Sequence, residues 1–206
     1  MHDIGYHKRN FFNTAVADIY RALDGKSHIG GFILTFCLID YLTWLEFGEM
    51  NNIKENYLKW IKQRLIPLNY FYTGQEEELF SVRCALVHTY GPSKQIANKT
   101  YGGYKLSFNN CGMHMQKVNN NILQLCLYTL LTEIVFAAHL FFEELDSTQL
   151  IQVQERLNNQ ILIIDSEPPE LYGQMHTALS VLDNDFVTLN SIQGDYTAKI
   201  LFPNLS

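Results

Sequence analysis

The sequence predicts a mainly α-helical protein: a helical bundle with a small β-hairpin insertion and a short mixed C-terminal extension. Three observations carry this prediction. Apolar stretches at helical spacing recur along the 206 residues, punctuated by Gly, Pro or polar caps. One interior segment, 92–117, instead holds Gly, Asn, Tyr and Lys in a turn-rich, alternating pattern. With 47% hydrophobic and only 17% charged residues, the chain has enough apolar side chains to bury a core and too few charges for disorder.

The elements follow in order. Residues 7–24 read as a helix stopped by Gly25, and 28–47 as a nearly all-round apolar helix stopped by Gly48. Residues 52–65 are amphipathic and end before Pro67. Residues 75–90 open on Glu76, Glu77 and Glu78, which suit the positive end of a helix dipole, and must end near Gly91-Pro92. Within 92–117, "YKLSF" and "HMQKV" flank "NNCG", the pattern of a hairpin. The longest helix is expected over about 118–145. Asp146-Ser147 caps another, to about 160, and Pro168-Pro169 opens one running to about 183. The tail, "DFVTLNSIQGDYTAKILFP", holds two short strands in this reading. Residues 1–145 would form the bundle, and 146–206 an extension packed on it.

Two apolar runs, 29–47 and 122–142, are long enough to raise a membrane. Asp40 interrupts the first and Glu133 the centre of the second. A carboxylate in a bilayer is costly, so both read as buried helices and no membrane partner is expected. The N-terminus, "MHDIGYHKRN", lacks the apolar core of a signal peptide. Cys37, Cys84, Cys111 and Cys126 form no C-x-x-C pair and read as reduced, buried thiols of a cytoplasmic protein. The glycine pairs at 30–31 and 102–103 match no phosphate loop, and the histidines show no ligand spacing, so no cofactor and no metal are expected.

The net charge of −6 hides an asymmetry. Residues 79–132 carry Arg83, Lys94, Lys99, Lys105 and Lys117 and no acid. Such a segment suits an anion, or is simply a core helix and a polar loop that lack acids. Tyr90 and Tyr101 interleave with Lys94, Lys99 and Lys105, as single-stranded RNA binding would need. A hairpin that packs its aromatics on the bundle would look the same.

The same segment contains "SVRCALVHTYGPS", 81–93, in which Arg83 and His88 enter an apolar helix five positions apart. At about 100° per residue their directions differ by about 140°. Two arrangements would unite them: an unwound last turn, or a second copy of the helix crossing about a two-fold axis.

This Arg-x-x-x-x-His pattern, "RCALVH" at 83–88 near the end of an apolar helix, resembles that of the HEPN superfamily of all-α bundles, with the helical order of residues 7–145 as context. The resemblance implies a metal-independent endoribonuclease acting as a homodimer. His88 would be general base or acid, and Arg83 would bind the scissile phosphate. The ribose 2′-hydroxyl would be the nucleophile and a 2′,3′-cyclic phosphate the product. Relatives often act in toxin–antitoxin or phage-defence settings, so an antitoxin or other protein partner is also implied. The residue after the arginine departs from the pattern: active members usually carry a polar side chain there, and this chain has Cys84. The competing expectation is structural. Asp40, alone in an apolar helix, needs a cation, and Arg83 would satisfy it. The chain would then be a catalytically inactive HEPN-like binding or scaffold protein. The two are compatible, with Asp40 orienting Arg83 from behind.

Overall fold

The computed structural model describes residues 4–48, 51–89, 95–96, 99–100, 103–108, 111–118 and 122–158. They form a mainly α-helical fold with a small sheet. Helices α1 (Ile4–Phe11) and α2 (Ala17–Asp24) are joined without a break by a wide turn, Phe12–Val16, where the Ala17 amide donates to the Phe12 carbonyl. That spacing is i+5→i, a π turn. The next helices are α3 (His28–Phe47) and α4 (Ile53–Trp60), the latter also extended by a π turn, Ile61–Leu65. A 3-10 turn, Tyr70–Tyr72, precedes α5 (Glu76–Thr89). After the β segment come α6 (Leu127–Glu143) and α7 (Ser147–Asn158).

Helix α3 is the centre of the bundle and packs on α2, α4, α5, α6 and α7. Its sequence explains this role. Phe32, Phe36, Ile39, Leu42 and Leu45 are at most 1% exposed, each contributing about 1.5–3 kcal/mol on burial. Gly31 permits close approach: a Cβ there would lie 2.8 Å from Leu23 Cδ2 and 3.0 Å from Leu127 Cδ2. By length and composition α3 could cross a membrane, but half of that stretch is buried inside the fold. Ion pairs tie helix ends together. Lys8 on α1 meets Glu143 on α6, and Arg64 joins Glu46 (2.8 Å) to Glu144 (2.5 Å).

The end of α3 shows local and tertiary devices acting together. Gly48 adopts φ +75°, and its amide returns to the Trp44 carbonyl (2.8 Å). From α7, Arg156 donates to the carbonyls of Leu45 and Glu46, two of the acceptors a helix end leaves open. A Cβ on Gly48 would sit 2.6 Å from that guanidinium. Gly48→Ala should therefore strain the backbone and displace Arg156 together, lowering stability by about 1–2 kcal/mol in urea denaturation. Arg156→Ala should cost about 1 kcal/mol, and the double variant less than the sum of the two.

The β segment departs from a simple hairpin. β1 (Gln95–Ile96) and β2 (Lys99–Thr100) form a small antiparallel pair. β3 (Tyr104–Ser107) and β4 (Gln116–Val118) do not pair with each other. Both flank a third strand, β5 (Ile122–Cys126), β3 in parallel and β4 antiparallel. The long helix thus starts at Leu127 and not near 118. The reason is pairing. "ILQLC" is too short and too apolar for its periodicity to separate helix from strand, and partners on both edges select the strand. Leu123 to Cys126 are buried, as a central strand requires. The expected helix to about 183 and the two tail strands lie outside the described residues.

The expectation of buried cysteines is corrected at Cys37, which is exposed, while Cys84 is half-buried and Cys126 buried. Cys37 lies on the rim of a groove of about 250 Å³ between α1 and α3, lined also by Asn10, Thr14 and Tyr41. The apolar run around it suggested core, but among the described residues one stripe of α3 is left uncovered.

Candidate functional site

Arg83 and His88 meet within a single chain. Helix α5 keeps its helical form to Thr89, and the long arginine side chain spans the gap: Nη1 lies 3.0 Å from His88 Nε2. Neither an unwound turn nor a second copy is needed for the contact. Arginine can only donate, so His88 Nε2 accepts, and the ring proton sits on Nδ1 in this arrangement. Asp40 on α3 holds the other side of the guanidinium. Its Oδ2 accepts from both Arg83 Nε (3.0 Å) and Nη2 (2.5 Å). Cys84 Sγ lies 3.8 Å from Nη1, a weak contact. The guanidinium also rests over the Phe80 ring, 5.8 Å from its centroid.

Burial and charge act against each other here. Side-chain exposure is 12% for Arg83 and 26% for Asp40, whereas His88 is exposed. Burial pushes the Asp40 carboxyl above the usual carboxylate range, and the Arg83 hydrogen bonds pull against that rise. Of the five arginine N–H groups, three face Asp40 and His88 and one points toward sulfur. One Nη2 hydrogen remains for an incoming anion.

The fold pairs two of the five basic side chains of the acid-free segment. Arg83 takes Asp40, and Lys117 takes Glu78 on α5 (2.7 Å). Lys105 is exposed on β3. Lys99 lies in β2, whose side chains are not described, and Lys94, Tyr90 and Tyr101 lie outside the described residues. Phe108, 38% exposed, stacks on His28 with ring centroids 3.9 Å apart.

Of a second polar cluster only Glu133 stood out in the sequence, as a carboxylate inside an apolar run. Tyr72 OH donates to Glu133 Oε2 (2.5 Å), and Asn69 Nδ2 donates to Glu133 Oε1 (2.8 Å). His114 Nδ1 accepts the Cys126 amide (3.0 Å), so its ring proton is on Nε2. That proton faces Tyr72 OH (2.9 Å) and Glu133 Oε2 (3.3 Å). The cluster ties the loop before β4 and the turn at Tyr70–Tyr72 to the middle of α6. Tyr72 is fully buried and His114 3% exposed, so it holds the fold and offers no open face to a substrate. Among the described residues, no group of three His, Cys, Asp or Glu is placed to hold a metal ion.

No protein-family model matches this chain, and no curated protein and no solved structure matches it.

Proposed function

We propose that the chain is a metal-independent endoribonuclease of the HEPN-like kind, acting at Arg83 and His88 as a homodimer. One observation carries the proposal: a guanidinium and an exposed imidazole lie one hydrogen bond apart, 3.0 Å, near the end of α5. In the reaction, the RNA phosphate takes the remaining Nη2 hydrogen of Arg83 and draws the guanidinium from His88. The freed Nε2 takes the 2′-hydroxyl proton, the 2′-oxygen attacks phosphorus, and the 5′-oxygen leaves with a proton from an acid on the opposite side. In a dimer, His88 of the second copy supplies that acid. The products are a 2′,3′-cyclic phosphate and a 5′-hydroxyl end. The cysteine usage suits a cytoplasmic protein, and the resemblance implies a toxin–antitoxin or phage-defence setting with an antitoxin or other protein as partner.

The test is incubation of a labelled mixed-sequence RNA in EDTA with the wild type and His88→Ala. Cleavage by the wild type alone, leaving cyclic-phosphate ends, is the expected result. A wild type inert on RNAs of many contexts sinks the nuclease reading. Light scattering at micromolar concentration should show a dimer, and a monomer would remove the acid that the second copy supplies.

A second reading is favoured by the Asp40 contact. Because Arg83 is already neutralised by Asp40 (2.5 Å) and is followed by Cys84 in place of a polar residue, the pair also suits a catalytically inactive HEPN-like binding or scaffold protein.

A further inference from the structure

Behind the Arg83–Asp40 pair, α3 packs on α4. Among the described residues, the buried polar atoms on these helices without a hydrogen-bond partner include Asp40 Oδ1 and Thr43 Oγ1 on α3 and Tyr57 OH and Trp60 Nε1 on α4. The i,i+3 spacing puts the two atoms of each helix on one face. Tyr57 and Trp60 are both 0% exposed. Contacts place the Tyr57 ring close to the site. It meets Phe80 edge-on at 5.2 Å, and Phe80 lies under the Arg83 guanidinium. The phenol also feels the Asp40 charge, which adds to burial in pushing it well above the ordinary tyrosine range. Chemically the four are complementary. Tyr57 and Trp60 bring donors, Asp40 Oδ1 is an acceptor, and Thr43 is both. Folded proteins rarely leave such groups unsatisfied, and internal water is the usual bridge.

We propose that Tyr57 is a positioning residue for Arg83, its hydroxyl holding the second oxygen of Asp40 through an internal water. The consequence is geometric. Arg83 donates from Nε and Nη2, its side edge, to a single oxygen, Oδ2. Were Oδ1 free, the carboxylate would rotate to grip the guanidinium side-on with both oxygens, the stronger fork-to-fork pairing. To meet both oxygens the guanidinium would have to shift along that edge, and Nη1, 3.0 Å from His88 Nε2, would shift with it. Holding Oδ1 keeps the guanidinium where it is, with Nη1 directed at the imidazole and one Nη2 hydrogen left for a phosphate. The functional part of this inference rests on the nuclease reading above; the link from Tyr57 to Asp40 does not.

The experiment is Tyr57→Phe in the full chain, an isosteric change that deletes only the hydroxyl. The readouts are the Arg83 Nε–Hε cross-peak by NMR, urea denaturation, and cleavage of labelled RNA. Tyr57→Phe should move the Arg83 cross-peak, lower the urea midpoint slightly and reduce cleavage by about tenfold. In an Asp40→Asn background the same change should leave the cross-peak where Asp40→Asn put it. Thr43→Val, which removes a second member of the group, should move the wild-type peak in the same direction. An unmoved peak in both single variants would overturn the proposal. So would a raised urea midpoint, the mark of deleting a hydroxyl that had no partner. If the wild type cleaves no RNA, the nuclease reading falls and the cross-peak still decides the Tyr57 link.

Discussion

His88→Ala is expected to lower RNA cleavage by about 10²–10⁴-fold, the usual contribution of a positioned general base or acid. Its melting temperature should stay within about 2 °C of the wild type, because an exposed side chain carries little of the fold. Arg83→Ala should behave differently. It removes the phosphate ligand, and it also leaves Asp40 partly buried without its cation, at a cost of about 1–3 kcal/mol. Adding Asp40→Asn to Arg83→Ala should recover part of that stability and none of the cleavage. This contrast separates the two readings of the pair. If stability falls in Arg83→Ala while the wild type has no activity to lose, Arg83 is a structural partner of Asp40 and the scaffold reading stands. If His88→Ala cleaves RNA as well as the wild type, the imidazole is not the base.

Glu133→Ala should be among the most damaging single changes outside the apolar core. The carboxylate accepts from Tyr72 OH, Asn69 Nδ2 and the His114 ring, and its side chain is 14% exposed. Alanine would leave those donors facing each other with little water to replace the acceptor. The expected cost is about 2–4 kcal/mol, or about 6–12 °C in melting temperature. Glu133→Gln should cost less. One oxygen still accepts, but the amide places a donor where another acceptor is needed. Thermal denaturation followed by circular dichroism measures both. Equal melting temperatures for Glu133→Ala and the wild type would mean that the cluster carries none of the stability.

The helices and their ends were largely legible in the chain itself. Gly48, the acidic turn at Glu76–Glu78 and Asp146 with Ser147 are signals that act within a few residues, because caps and dipoles are satisfied locally. The mainly α class and the small β insertion follow from the same signals. Part of the candidate site was legible too. Arg83, His88 and Asp40 stand out as polar groups in apolar helices, and a buried Asp demands a cation. Their angular separation along α5 argued against the direct contact that the arginine side chain makes by reach alone.

The rest was decided only in three dimensions. β5 is a strand because β3 and β4 supply hydrogen bonds on both of its edges, and periodicity in five apolar residues cannot report that. Two of the five basic residues of the positive segment, Arg83 and Lys117, pair with Asp40 and Glu78, which precede it in the chain. Tyr72, His114 and Glu133 converge across as many as 61 positions of sequence. Cys37 is exposed because no helix among the described residues covers its stripe of α3. In each case the determining partner is distant along the chain. Local patterns set which segments are helical and where they stop; packing set which polar groups are paired, and it left His88 exposed beside Arg83.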